Sequence, residues 1–363
     1  MRKIVVVFLV LLLLVIPVGA ETVVEEQAEQ IGTEALKEGL QGDAKDAMEQ
    51  YDPNIQSDFL QGAKDLLSQA FSSSGSALKT AMHTMLRILV ILSLCKLVDA
   101  IGQHHTQKAV HTASALGVTA CCASDVRSLV GMGQAAMEEI AAFSDLLLPV
   151  MASATAASGA PTAATGVYGV AVFFFHLLIK AYKYVLVPLV YAFLALALAD
   201  AVLEQERLQK LRDLLGWIIK ICMKGIVYAF TGFLTITGLL SGTSDAAALK
   251  AAKAAMASMV PVVGGIISGA ADTVLAGAGF IRSAAGTFGM LAVLAIFLFP
   301  FIKMGISYLI FKLTTALGGL IDQRHGKLLD AITGALGYML AMTGSTALMS
   351  LLSCCFFLKA VTP

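Results

Sequence analysis

Charged residues are scarce in this sequence. Only 14% of its 363 residues are Asp, Glu, Lys or Arg, whereas 58% are hydrophobic. An average soluble protein has about a quarter charged and about half apolar residues. One or two buried helices of a soluble core do not account for the apolar runs that recur from Met82 to the C-terminus. The composition excludes an ordinary soluble protein and predicts an all-α, polytopic membrane helix bundle.

Motifs of known catalytic chemistry are also missing. The sequence contains no phosphate-binding glycine loop, nucleophile elbow or paired-histidine zinc helix. His104, His105 and His111 are close together, but no cysteine or carboxylate stands at ligand spacing, which favours a polar loop over a metal site. We therefore expect no enzymatic activity, no cofactor, no bound metal and no nucleic-acid partner.

The cysteines exclude a disulfide framework in the N-terminal part of the chain, because none lies between residues 21 and 81. Two adjacent pairs, Cys121 with Cys122 and Cys354 with Cys355, lie in apolar segments instead. Neighbouring cysteines rarely share a metal or a useful disulfide, so the pairs indicate small membrane residues. Acylation of Cys354 or Cys355, near the end of a segment, is the alternative.

The N-terminus, MRKIVVVFLVLLLLVIPVGAE, has the pattern of an export signal. Arg2 and Lys3 precede an apolar run, and small residues at Val18 and Ala20 precede Glu21. This order predicts a cleaved signal peptide over residues 1–20, with an uncleaved membrane anchor as the alternative. In either case the segment that follows is exported.

That exported segment, residues 21–81, is acidic. It contains twelve Asp or Glu against four Lys. Apolar residues recur at helical spacing and predict an amphipathic helix: Ile55, Phe59, Ala63, Leu66, Leu67 and Ala70. A second helix is expected within 31–48, and Ser72 to Ser76 suggest a flexible joint before the membrane. The segment is either a solvated arm or a partner-docking helix.

Residues 82–363 contain the predicted multi-pass transmembrane domain. Apolar stretches occur at about 82–101, 109–130, 140–160, 166–199, 214–240, 259–281, 286–320 and 331–358. A crossing takes about 20 residues, so 166–199 and 286–320 are each either one long tilted helix or two helices broken near Pro188 and Pro300. We expect about seven to nine crossings.

Two stretches of this domain echo each other. DLLLPVMASATAASG, which includes Asp145 and Pro149, resembles ASMVPVVGGIISGAAD, which includes Pro261. ATGVYG and AAGTFG repeat the similarity downstream, which suggests a duplication with units at about 134–242 and 246–358; a chance match between apolar segments is the alternative. Leu148 and Val260 precede prolines, so each echo is expected to begin at a helix break.

The echoed stretches supply the candidate pore or packing residues. Small residues at four-residue spacing let membrane helices approach closely, and short carboxylates inside a membrane favour a water-filled path. The candidates are Asp145, Pro149, Pro261, Gly265, Gly269 and Asp272. In the first span, Lys96 and Asp99 are three residues apart and are expected to pair.

The order of these features resembles a known family. A signal peptide, a short acidic segment and a polytopic region containing LLLPV, MVPVVGGIISGAADTVLAGAGFIRSAAGTFG and LGGLIDQRHGKLLDAITGALG is similar to the stage III sporulation protein AE family of endospore-forming Firmicutes. The resemblance implies a multi-pass protein of the mother-cell membrane, with its exported segment in the intermembrane space. It also implies membership of a channel, or feeding-tube, complex that links mother cell and forespore.

In that family the partners include other membrane proteins of the same operon, ring-forming proteins and a secretion-type ATPase, and late forespore sigma-G activity requires the complex. The resemblance carries over no catalytic residue. Two alternatives remain: a self-sufficient small-molecule transporter or permease built from the two echoed units, and an intramembrane enzyme.

Overall fold

The computed structural model describes residues 35–52, 58–101, 107–158, 161–203, 206–259 and 264–359. Side chains are also left undescribed at a few helix ends and over 237–282. Every long element in the described ranges is helical and none is a strand, which confirms the all-α prediction. The predicted signal peptide, residues 1–20, lies outside these ranges.

Three short helices precede the bundle: α1 (Ala35–Glu38), α2 (Gly42–Met48) and α3 (Phe59–Ser72). The long helices are α4 (Gly75–Ile101), α5 (Gln107–Ala157), α6 (Pro161–Ala181), α7 (Val187–Leu203), α8 (Glu206–Met259), α9 (Gly264–Ile321) and α10 (Gln323–Lys359). One π-helical turn, Tyr182–Leu186, joins α6 to α7. The helices α5, α9 and α10 pack most extensively on one another and form the centre of the bundle.

Five helical stretches of the described chain are long and apolar enough to cross a membrane, which confirms a membrane helix bundle. They are Ala109–Ala157, Ala164–Leu203, Leu208–Phe233, Ser283–Ile321 and His325–Cys355. The helix α4 adds an apolar exposed face that includes Leu86, Val90 and Leu94. The expected seven to nine crossings are not confirmed.

The division of the chain into separate short spans is wrong in two places. Residues 109–130 and 140–157 belong to one helix, α5, and residues 264–281 and 286–320 belong to α9. A helix of 51 residues is about 75 Å long, whereas the hydrocarbon core of a bilayer is about 30 Å thick. The long helices therefore extend well beyond the hydrocarbon layer.

Prolines do not break these helices. Pro149 and Pro300 lie inside α5 and α9, so the expected break at Leu148 is wrong. Near Pro188 the chain forms the π-helical turn instead of a break. A proline removes one backbone donor, but neighbouring helices of a membrane bundle hold the helix in place on both sides. The residue Val260 lies outside the described residues.

The N-terminal helices pack on the flank of the bundle. Asp58 caps α3, since its carboxylate accepts a hydrogen bond from the Leu60 amide at 2.9 Å. Leu66 and Ala70 of α3, which packs on α9, are fully buried, as the amphipathic pattern predicted. Leu67 was predicted on the same face, but its side chain is 43% exposed. The expected flexible joint is a short turn in which the buried Ser74 hydroxyl donates to the Ala70 carbonyl.

An ion pair also ties this segment to the bundle. Lys303 of α9 donates to the Asp43 carboxylate of α2 at 2.7 Å. Burial raises the pKa of the Tyr51 hydroxyl, and the Asp65 carboxylate nearby raises it further. The described helices α1, α2 and α3 are therefore packed on the bundle and are not a solvated arm, while the docking of a partner stays a prediction.

Two antiparallel hairpins lie side by side with their tips at the same end. In the first, Ile91 of α4 lies beside Gly117 of α5; in the second, Tyr308 of α9 lies beside Gly337 of α10. At the tip of the second hairpin a Cβ atom on Gly326 would be only 3.2 Å from the Gly319 Cα atom. The glycines at positions 319 and 326 thus allow the backbones of α9 and α10 to approach closely.

Close packing also joins the first echoed stretch to the second hairpin. Leu147 is fully buried, and a Cβ atom on Gly289 of α9 would lie 2.5 Å from its Cδ1 atom. The echoed position Gly169, by contrast, has no atom within 4 Å of such a Cβ. The two echoed glycines thus have different surroundings, and the internal duplication stays a prediction.

We predict that Gly289→Ala destabilises the protein because the whole Leu147 side chain must move within a closed core. The expected cost is about 1–3 kcal/mol of unfolding free energy. The measurement is the fraction of detergent-solubilised protein that remains monodisperse after heating.

The matched control is Gly305→Ala in the same helix, where nothing lies within 4 Å of the added Cβ atom. Alanine favours a helix over glycine by about 0.5–1 kcal/mol, so this variant is expected to be unchanged or more stable. Equal thermal stability of the two variants would contradict the close packing of Gly289.

Candidate functional site

The predicted residues of the first echo do not point into the bundle. Asp145 and Pro149 lie on the exposed side of α5. Their neighbours Ser144 and Leu148 are buried. The small residues that follow alternate in the same way along the helix, so the stretch is an ordinary half-buried helix face. A pore role for Asp145 stays a prediction.

The second echo falls mostly outside the part of the chain that the structure describes with side chains. Pro261 lies outside the described residues. Gly265, Gly269 and Asp272 belong to α9, in the part whose side chains are not described. Their packing or pore role stays a prediction.

Side-chain hydroxyls connect helices inside the bundle. Three pairs occur in the described part: Ser144 with Ser350 at 2.9 Å, Tyr182 with Ser345, and Thr315 with Thr333 at 3.1 Å. Interhelical hydrogen bonds of this kind average about 0.6 kcal/mol in membrane proteins. These hydrogen bonds help to fix the relative orientation of the helices in a core that is otherwise apolar.

A polar cavity of about 550 Å³ opens on the side of the bundle between α7, α8 and α10. Its lining includes Arg212, Lys220 and Lys327, together with the carboxylates of Asp213 and Asp330. The Lys220 ammonium lies 5.8 Å from the centre of the Tyr338 ring. The cavity has the size of a small-molecule site, and its lining carries charges of both signs.

Arg212 holds the end of the α7–α8 hairpin. One guanidinium nitrogen lies 3.4 Å from the Asp200 carboxylate, and the other lies 3.3 Å from that of Asp213. The side chains of Arg212 and Asp200 are only 11% and 13% exposed, whereas that of Asp213 is 63% exposed. The pair with Asp200 is therefore the more shielded of the two.

A cluster of histidine and aspartate lies where the tips of the two hairpins meet. His111, near the start of α5, has its Nε2 atom 3.1 Å from the Asp99 carboxylate at the end of α4. Its Nδ1 atom faces Asp322, between α9 and α10, at 3.6 Å. The Nδ1 atom of His325 lies 3.0 Å from the same Asp322 oxygen. We call these four residues the junction cluster.

Ser114 completes the surroundings of the junction cluster. Its hydroxyl donates to the His111 carbonyl at 2.8 Å and lies 2.5 Å from the Nε2 atom of His325. One oxygen of Asp99, Oδ1, is buried without a hydrogen-bond partner among the described residues. The cluster is thus a shielded group of two imidazoles and two carboxylates.

Sequence reasoning missed this cluster. The pairing expected for Asp99 was with Lys96, whereas the partner in the structure is His111. The sequence also favoured a polar loop around His111 because no carboxylate stands at ligand spacing. Two of the partners, Asp322 and His325, are about 210 residues away and meet it only through the packing of the hairpins. The polar motif DQRH between two apolar helices was the available signal.

The fold defines a polytopic all-α membrane protein with polar clusters at its helix ends. A family model described as stage III sporulation protein AE matches residues 43–360. The chain therefore belongs to the stage III sporulation protein AE family, which confirms the resemblance in the sequence.

A curated relative, stage III sporulation protein AE of Bacillus subtilis (strain 168), is 25% identical over 223 residues. The matched stretch covers 60% of this chain and 55% of the relative, so the chain spans about half the length of that relative. No solved structure matches. Family membership gives the protein a role in sporulation, and the family name describes a sporulation protein and not an enzyme.

We predict that Asp200→Asn lowers the stability of the α7–α8 hairpin more than Asp213→Asn does. The first change leaves the shielded guanidinium with only its exposed partner, Asp213, which costs about 1–3 kcal/mol, whereas loss of the exposed pair costs about 0–1 kcal/mol. Limited proteolysis of the detergent-solubilised protein near residues 204–205 measures the difference. Equal cleavage rates would contradict the stabilising role of the shielded pair.

Proposed function

We propose that the protein is a membrane subunit of the transenvelope channel complex that links mother cell and forespore, and that late forespore sigma-G activity requires it. The observation that carries the proposal is the family match over residues 43–360 on a bundle with five apolar helical stretches. A non-enzymatic role in an assembly agrees with the family name. The proposed location is the mother-cell membrane facing the forespore.

The proposed partners are other membrane proteins of the same operon, ring-forming proteins of the intermembrane space and a secretion-type ATPase. The chain has no nucleotide-binding motif of its own, so ATP-driven transport requires such a partner. In this arrangement the acidic segment 21–81 is exported and lies in the intermembrane space.

The outer face of α3 is the proposed docking surface for the ring proteins. Leu66 and Ala70 face the bundle, while Leu60 and Phe71 are 69% and 59% exposed on the opposite side. Exposed large apolar side chains on one helix face are typical of protein–protein contacts. Because α3 also packs on α9, deletion of the segment would damage the bundle, and surface substitutions are the sharper test.

We predict that the double variant Leu60→Ala, Phe71→Ala loses the ring proteins on co-purification from sporulating cells. The expected loss is at least tenfold in recovered ring protein, because buried aromatic and leucine anchors dominate such interfaces. Quantitative mass spectrometry of the complex measures it, and the membrane level of the variant itself is recorded in parallel.

The control is Gln69→Ala, an exposed polar residue of the same helix, which is expected to leave recovery unchanged. Full recovery of ring proteins with the double variant would refute docking at this face. It would indicate that lipid contacts this face of α3 instead. Absence of ring proteins and of the ATPase from the wild-type preparation would refute membership of the complex.

The cavity beside Arg212 supports a second candidate, a self-sufficient small-molecule transporter. Its volume of about 550 Å³ and its lining with Lys220 and Lys327 suit a small anionic solute. Purified protein that moves a solute across liposomes without partners would favour this function over the channel subunit.

A further inference from the structure

We propose that the junction cluster binds one divalent transition-metal ion of the zinc type, with His111, His325 and Asp322 as ligands. One donor atom from each of these residues lies within 4.8 Å of the others. Two imidazoles and a carboxylate form a common ligand set for zinc and related ions. The proposal concerns a site separate from the α3 docking surface and from the cavity beside Arg212.

The spacing of the donor atoms suits a tetrahedral ion. Ligand atoms around zinc lie about 3.3 Å apart, since Zn–N and Zn–O bonds measure roughly 2.0–2.2 Å. The Nδ1 atoms of His111 and His325 lie 3.6 and 3.0 Å from the same Asp322 oxygen, Oδ2. Only small side-chain movements are needed to close the three ligands around an ion.

Hydrogen bonds orient both imidazoles for this purpose. The Ser114 hydroxyl has one proton and donates it to the His111 carbonyl, so it accepts from Nε2–H of His325. The Asp99 carboxylate likewise accepts from Nε2–H of His111. In both rings the Nδ1 atom is thereby left to face Asp322. A histidine ligand whose second nitrogen donates to a carboxylate or hydroxyl is the usual arrangement around a protein metal.

Such an ion would fasten the tips of the two hairpins to each other. Its ligands come from the start of α5 and from the junction of α9 with α10, and Asp99 adds the end of α4. Four helix ends would then be held by one set of bonds. The consequence is a metal-dependent increase in the stability of the bundle.

The experiment uses the full chain in detergent, purified with a tag that contains no histidine, stripped with EDTA and then given zinc. We expect about one zinc per chain by plasma mass spectrometry after gel filtration, and a midpoint of thermal unfolding that rises with zinc concentration. The variants His111→Gln and His325→Gln are expected to lose this zinc. His176→Ala is the control, since that exposed imidazole forms its hydrogen bond within its own helix, at the Val172 carbonyl.

Two further measurements test whether zinc binds at the junction cluster. Ser114→Ala, which removes an orienting contact and no ligand, is expected to weaken zinc binding about tenfold or more while the protein stays monodisperse. Cobalt in place of zinc should show visible absorption without a thiolate charge-transfer band, which separates this site from the six free cysteines. The proposal is overturned if folded wild-type protein retains no zinc, if the histidine variants retain as much as wild type, or if cobalt shows thiolate ligation.

Discussion

Close contact between α5, α9 and α10 is the constraint on which the rest of the structure depends. In lipid there is no hydrophobic drive between helices, so association relies on van der Waals packing and hydrogen bonds. The glycines at 286 and 289 let α9 approach the buried face of α5 around Leu147 and Met151. The Ser144–Ser350 pair adds a polar contact between α5 and α10. Every other helix packs around this centre.

The packing also explains why the functional features lie at the ends and flanks of the bundle. Because the α4–α5 and α9–α10 hairpins run side by side, their tips coincide and bring the junction cluster together. The cavity beside Arg212 lies on the flank, where α7 and α8 form a smaller hairpin. The buried centre is filled by apolar side chains and hydroxyl pairs.

The helix α9 links the proposed docking surface to the rest of the molecule. It holds α3 and α2 on its flank, with the Lys303–Asp43 pair between α9 and α2, and it ends at Ile321, next to Asp322. A partner bound to α3 would therefore rest on the same helix that closes the junction cluster.

Several features were predictable from local sequence because they depend on composition and periodicity. The scarcity of charge determined the membrane class, and the spacing of Leu66 and Ala70 determined which face of α3 is buried. Helix boundaries were less predictable. Pro149 suggested a break, yet α5 continues through it. Membrane bundles tolerate a proline inside a helix because surrounding groups satisfy the freed backbone carbonyl. Such support is a property of the assembled bundle.

The sequence by itself determined an all-α membrane protein with an amphipathic N-terminal segment, since hydropathy and helical periodicity act over neighbouring residues. Only the tertiary structure decided that the segment packs on α9 and that Asp145 faces outward. It also decided that His111 meets Asp322 and His325. The physical reason is that these contacts join residues about 210 positions apart, and their geometry arises from the way in which whole helices pack together.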